Sequence, residues 1–233
     1  MKIIITDLTR FSNEEIVCVA GINPETNRCI RPMPYLQTAT CQKYKILPGA
    51  IIEGDFSPAS CTAPHIEDCN YQNLKLLGSC NSEQFKSILV SSSASSVEEG
   101  FGVSLALGQK HIPDDNSPAK SIITLQLLPQ NFAIMIDKFQ AGKLRVTFSD
   151  SKGKLFKFLS LTDLGFFEYY TRNMSEEIIA ELNDFIHSQQ SLFIRLGLSR
   201  SHQANDGRSG FWMQVNGIYT FPEFKREIRC YNE

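Results

Sequence analysis

Long apolar runs are missing from this chain of 233 residues. None approaches the roughly 18 residues that a membrane-spanning helix requires. An excess of one charge is missing too: 23 Lys and Arg stand against 25 Asp and Glu, a formal net charge of −2. That balance excludes the global basic field of a histone-like binder and confines any polyanion site to a local patch. Several catalytic signatures are absent. There is no G-x-x-x-x-G-K-[ST], no G-x-G-x-x-G after a strand, no G-x-S-x-G and no H-E-x-x-H, which disfavours a phosphate-loop NTPase, a serine hydrolase and a zincin. The seven cysteines are odd in number, scattered, and without a C-x2-C knuckle. They read as reduced thiols of a cytoplasmic protein. Cys61, His65, Cys69 and Cys80 carry too little zinc-ligand spacing for a metal to be expected, and no cofactor is implied. Tryptophan occurs once, at position 212.

What the chain does have is β-rich sequence, and its N-terminus reads as a first strand rather than a signal peptide. Lys2–Thr6, Glu15–Ile22, Arg28–Met33 and Ala50–Phe56 have strand composition, with a five-residue polar turn before Arg28 and prolines ending the third run. Thr38–Lys45 suits one or two helical turns. Ser82–Leu89 suits a short helix capped by Ser82. Val90–Pro118, rich in Ser, Gly, Asp and Pro, reads as a long loop or a domain boundary. Lys120–Leu128, Asn131–Asp137, Lys143–Phe148 and Lys154–Leu161 are further strands. In Lys143–Phe148, Leu144, Val146 and Phe148 fall on one face and Lys143 and Arg145 on the other. One clear helix spans 175–187: Ser175 caps it, Glu176 and Glu177 suit its positive end, and Ile178, Ile179, Leu182, Phe185 and Ile186 form one apolar stripe.

The C-terminal part is the most informative. Two apolar runs, Ser191–Leu198 and Phe211–Tyr219, are joined by a polar, glycine-bearing loop and predict a hairpin with a long tip. Arg195 and Arg200 flank the end of the first run and Arg208 sits in the loop. Trp212, Gln214, Asn216, Tyr219 and Phe221 punctuate the second. Guanidinium groups for phosphate, rings for base stacking and amides for base edges are what a nucleic-acid-binding sheet requires. The basic segment Lys138–Lys157, with Lys143 and Arg145 on one strand face, is the largest positive concentration and suits phosphate contact. Arg28 and Arg31, three positions apart, point to opposite faces of a regular strand, so only one, taken as Arg31, joins a shared face.

Strand, strand, strand, helix, strand, strand is the succession of an oligonucleotide-binding (OB) barrel, which carries a helix between its third and fourth strands. The strand at Asn131–Asp137 is surplus to that plan. The first half resembles it with a weaker helix. Ile5-Thr6-Asp7-Leu8-Thr9-Arg10-Phe11 echoes Leu161-Thr162-Asp163-Leu164-Gly165-Phe166-Phe167, a faint sign of duplication.

Two segments carry a family likeness. Thr6-Asp7-Leu8-Thr9-Arg10 followed by Cys18, Gly21 and Arg28-Cys29-Ile30-Arg31-Pro32 resembles the start of the bacterial dual OB-containing domain family. Arg195–Arg200 and Trp212-x-Gln214-Val215-Asn216-Gly217-Ile218-Tyr219-x-Phe221-Pro222 resemble its end. Pro64-His65-x-Glu67-Asp68 belongs to the same likeness. The resemblance implies two tandem OB-like barrels that bind nucleic acid, in prokaryotic defence or RNA-related systems, and brings no catalytic residues.

The expectation is therefore a mainly β chain of two OB-like barrels, over residues 1–118 and 119–233, binding single-stranded or structured nucleic acid without catalysis. Arg31, Lys143, Arg145, Arg195, Arg200, Arg208, Trp212, Gln214, Asn216 and Tyr219 are its candidate contacts. Two alternatives stay open. One is a metal-dependent nucleotide- or nucleic-acid-processing enzyme using His65, Glu67, Asp68 and Asp7. The other is a protein–protein adaptor.

Overall fold

Two runs of β-rich sequence build two sheets. The computed structural model describes residues 1–60 and 62–231 and is mainly β. The first sheet holds β1 (Lys2–Arg10), β2 (Ile16–Ile22), β3 (Cys29–Met33), β4 (Leu36–Gln37), β5 (Ala50–Pro58) and β6 (Asp68–Ser79). Helix α1 (Thr38–Lys43) lies between β4 and β5. The pairings run β1–β5–β6–β3–β2 and return to β1. β3 and β6 are parallel and the others antiparallel. Sequence reading did not assign β6, whose polar and apolar residues do not alternate.

A bulge in β1, between Ile5 and Asp7, has a large consequence. In a regular strand Asp7 would share the inward face of Ile3 and Ile5. The extra residue shifts the alternation, so that Ile3, Ile5 and Leu8 enter the first core. Asp7 is turned instead toward the second sheet, and β1 is buried from Ile3 to Thr9.

After α2 (Ser82–Ser91) come β7 (Ser93–Ala94), α3 (Val97–Phe101) and β8 (His111–Pro113). α2 is capped by Asn81 and Gln84 in a capping box, one residue before the Ser82 expected. The stretch read as a loop therefore has structure of its own. It also joins the second sheet: β7 pairs with β9 (Ile122–Leu127), and Val97, Phe101 and Ile112 enter the second core.

The second sheet continues through β10 (Phe132–Ile136), β11 (Leu144–Ser149) and β12 (Leu155–Leu161). Then follow α4 (Leu164–Asn173), α5 (Glu176–His187), β13 (Ser191–Leu198), β14 (His202–Gln203) and β15 (Ser209–Phe221). The surplus strand is explained here. β9 and β10 are separated only by a 3-10 turn, Pro129–Asn131. β9 pairs with β13, and β10 with β11. The rest of the path is β11–β12–β15–β13, with β12 and β15 parallel. If β9 and β10 count as one bent strand, the first sheet's circuit is repeated.

α5 matches its expected helix, with the Ser175 hydroxyl accepting from the Ile178 N–H. The dense aromatics of α4 obscure its helical period in the sequence. The Asp163 carboxylate caps it by accepting from Gly165 and Phe166, while Phe166 and Tyr170, four apart, are buried. No helix among the described residues is long and apolar enough to cross a membrane.

Candidate nucleic-acid interface

A second bulge decides where the expected contacts go. Arg195 pairs with Gly217 and Leu196 with Val215, so Asn216 is the extra residue of β15. In a regular strand Trp212, Gln214 and Asn216 would oppose Tyr219 and Phe221. The bulge brings all five to the face opposite the core residues Met213, Val215 and Ile218. The strip is then divided. Its C-terminal half lies under β1 and α2, and its N-terminal half stays outside.

The covered half is a seam between the two sheets, built on charge. Arg195 is only 1% exposed. Its Nε donates to Asp7 Oδ2 at 2.9 Å, Nη1 to Thr124 Oγ1 at 2.7 Å and Nη2 to Cys29 Sγ at 3.1 Å. Thr6 Oγ1 also donates to Asp7 Oδ2, at 2.7 Å. The Tyr219 hydroxyl donates to the Thr6 carbonyl, and Phe85 of α2 packs edge-on against its ring at 4.9 Å. Asp163 accepts two bonds from Arg229, both 2.9 Å, and forms an isolated β-bridge with Thr9. The two Thr-Asp-Leu segments of the sequence echo therefore meet across the seam. One lies in the first strand and the other at a helix start, so they are not equivalent positions of a repeat.

A second ionic group sits beside this one. Arg31 is buried; its Nε donates to Asp68 Oδ1 at 2.5 Å, and its Nη2 contacts His65 Nδ1 at 3.0 Å. Arg200 Nη2 donates to Asp68 Oδ2 at 2.7 Å from the other sheet. Glu67, also buried, accepts from Ser121 N, Ser121 Oγ and Ile122 N at 2.8, 2.7 and 3.0 Å. Burial first, then the charges of Arg200 and Arg31, depress the His65 imidazole to about 4. It is thus neutral, with Nδ1 accepting from Arg31. The carboxylates proposed for a metal or for acid–base work are each engaged by cations or N–H groups. Among the described residues no cluster of three His, Cys, Asp or Glu is placed to hold a metal ion; Cys61 lies outside the described residues.

Arg31, Arg195, Asn216 and Tyr219 are therefore corrected as ligand contacts: all four are buried. Arg31 and Arg195 serve the seam's carboxylates, Tyr219 bonds the Thr6 carbonyl, and Asn216 Oδ1 accepts from Thr162 Oγ1 at 3.0 Å. Arg200 is partly exposed but committed to Asp68.

The outer half keeps the rest. On β11, Leu144, Val146 and Phe148 are buried and Arg145 faces out. Arg145 donates to Asp137 Oδ2 at 2.7 Å and to the Ser160 hydroxyl of β12. Asp137 Oδ1 accepts from Phe139 N and Gln140 N at 2.8 and 3.2 Å. This carboxylate turn folds the 137–143 loop and leaves Phe139 96% exposed at its tip. Lys138 and Lys143 are exposed beside it.

On β12 strict alternation fails at a bulge opposite Val146 and Phe148. Phe158 adopts φ +58°, a left-handed conformation rare for a bulky residue. Lys157 and Phe158 then both face solvent, with Phe158 52% exposed, while Phe156 and Leu159 point inward. Ser160 pairs with Gln214 in parallel register, so Phe158 and Trp212 each stand two residues before that pair. Trp212 is half-buried, stacked on His111 of β8 with centroids 4.9 Å apart. The Arg208 guanidinium lies 4.9 Å from the indole centre, tied to exposed Asp206. Burial first, then Arg145 and Arg208, lower the Lys110 amine below its usual range, so cations converge here.

Lys143, Arg145, Arg208, Trp212 and Gln214 are thus brought to one outer surface. Phe139, Phe158, Lys157 and Lys110 join them. The first two were missed because a lone phenylalanine in a strand or loop reads as core; its only local flag was the basic run around it. No protein-family model, curated protein or solved structure matches this chain.

Breaking one partner of a buried ion pair costs about 3–5 kcal/mol. Arg195→Ala and Asp7→Ala should each lose that much in urea unfolding, and Asp7→Leu with Arg195→Met should lose much less than their sum. Additive losses below about 1 kcal/mol each would show the pair to be idle.

The His65 imidazole gives a pH dependence. Its usual value is about 6.5 and its folded value about 4. Between these the unfolded chain binds the proton and the folded chain does not, so stability falls as pH drops through that window. Thermal melts from pH 7 to pH 4.5 should show a steeper loss for the native chain than for His65→Gln; parallel curves would refute it.

Proposed function

We propose that the chain is a nucleic-acid-binding module of two OB-like barrels, and that single-stranded nucleic acid lies on the outer face of β11, β12 and β15. The carrying observation is one surface on which three rings, Phe139, Phe158 and Trp212, stand among Lys110, Lys143, Arg145, Lys157 and Arg208. Rings accept unstacked bases and cations track the phosphates between them. A duplex keeps its bases stacked and offers such rings nothing.

The sheet circuits support the barrel reading. Each has five strands in the same pairing order, counting β9 and β10 as one, with helix between the third and the fourth. OB barrels bind ligands on strands two and three and on the loops joining strands one to two and four to five. In the second unit those loops are 137–143 and 199–208, which carry Phe139 and Arg208. In the first unit they are 11–15 and 59–67. There the neighbouring Arg10 N–H donates to the Thr162 carbonyl at 2.9 Å, and Glu67 holds Ser121 and Ile122. The 59–67 loop of the first unit is thus used for docking; in the second unit Arg200, at the start of 199–208, joins it by bonding Asp68, which leaves 137–143 and the Arg208 end of 199–208 for a ligand. This agrees with the resemblance to the dual OB-containing domain family.

Fluorescence anisotropy with labelled single- and double-stranded 12-mers at two salt concentrations checks the reading. Single strands should bind more tightly. Phe139→Ala with Phe158→Ala should weaken them about tenfold or more, given roughly 1–3 kcal/mol per stacked base. Lys143→Ala with Arg145→Ala should flatten the salt dependence, each phosphate contact contributing a log–log slope of about −0.7. Equal binding by all variants, or binding to duplex alone, would overturn it.

A further inference from the structure

The proposed interface contains a place with unmet hydrogen-bonding capacity. Trp212 and Gln214 are two residues apart on the same outward face of β15. The Gln214 carboxamide has no hydrogen bond among the described residues. Trp212 Nε1 and His111 Nδ1 are both buried and both without a partner. Buried polar atoms are nearly always paired, so two orphans in one stacked ring pair point to a missing partner. Beyond His111 the indole is flanked by the His202 ring, tilted with centroids 5.8 Å apart, and by Arg208, on a loop turned by Gly207 at φ +86° and held by an exposed pair to Asp206. Exposed ion pairs contribute little, so Arg208 is easily displaced.

We infer that a base of a single strand, adenine by preference, takes the place of the Arg208 guanidinium over Trp212 and is read along its edge by Gln214. This rests on the nucleic-acid reading of the face. A carboxamide presents a donor and an acceptor side by side, the pattern that meets N6–H and N7 of adenine. The guanine O6/N7 edge presents two acceptors and calls for a cation. Arg145, which reaches the strand beside Gln214 through Ser160, is held by Asp137 and Ser160. Cytosine and the smaller uracil or thymine ring cover less of the indole. Displaced from the ring, Arg208 remains within reach of the strand's phosphate.

Trp212 is the only tryptophan, so its fluorescence reports the event directly. Oligo-dA, oligo-dC and oligo-dT 12-mers are titrated against the full chain and followed by indole quenching and by anisotropy. Oligo-dA should bind about fivefold or more tightly than the others, in keeping with a bidentate contact, and should quench Trp212 most. Gln214→Leu should bring the three strands within twofold of one another. Gln214→Ala does the same by truncation and covers the case in which the leucine variant does not fold. Arg208→Ala should keep the order of preference. Binding of all three strands with equal affinity and no indole response overturns this inference and leaves the interface standing. A preference that survives in both Gln214 variants also overturns it. No binding to any strand overturns the interface reading as well.

Discussion

The Asp7–Arg195 ion pair is the constraint on which the rest of the structure depends. It joins the first strand of one sheet to the central strands of the other, at the point where both are buried. Taking two charges out of water costs several kcal/mol each, and their attraction offsets this only when the geometry is good and the remaining groups are bonded. Here the guanidinium satisfies that condition through Asp7, Thr124 and Cys29. A lone cation at that depth would be untenable. The bulge at Ile5–Asp7 aims the carboxylate, and regular alternation along β13 turns Arg195 away from the core residues Ile194 and Leu196 toward it. The pair therefore specifies how the sheets dock, rather than simply adding stability.

Docking in this way divides the molecule's surface. The Arg31–Asp68–Arg200 group and the Glu67 contacts use the first unit's loops. Of the matching loops in the second unit, 199–208 gives Arg200 to that group, while Phe139 and Arg208 stand clear of it. On a chain with net charge −2, cations left uncommitted on one face matter more than the total. That face also carries two outward phenylalanines and a half-covered indole, which need a reason to be there. Flat ligands with negative linkers supply one.

Much of the fold was legible in the sequence, and so were parts of the site. Strands such as Leu144–Ser149 alternate cleanly, and the 176–187 helix carries its cap and stripe. β6 was not legible because its exposed ribbon lacks alternation. α4 was not because its aromatics obscure the period. The candidate contacts split by a rule the sequence could not reveal. Arg195 and Arg208 look equally available in a list of residues, yet one is sealed against Asp7 and the other stands in water. The Asn216 bulge, invisible to periodicity, puts these side chains on one face, and β1 with α2 then covers its C-terminal half. Phe158 escaped because regular alternation was assumed across a residue whose backbone is left-handed.

The most direct measurement of the central claim is amide hydrogen exchange of the full chain with and without a saturating single-stranded oligonucleotide at low salt. The account predicts new protection in 137–147, 155–160 and 199–214, with the amides of 64–68 and of β13 unchanged because the seam stays closed. Protection confined to 59–70 or to the first sheet, with the outer face of β11, β12 and β15 unaffected, would contradict it.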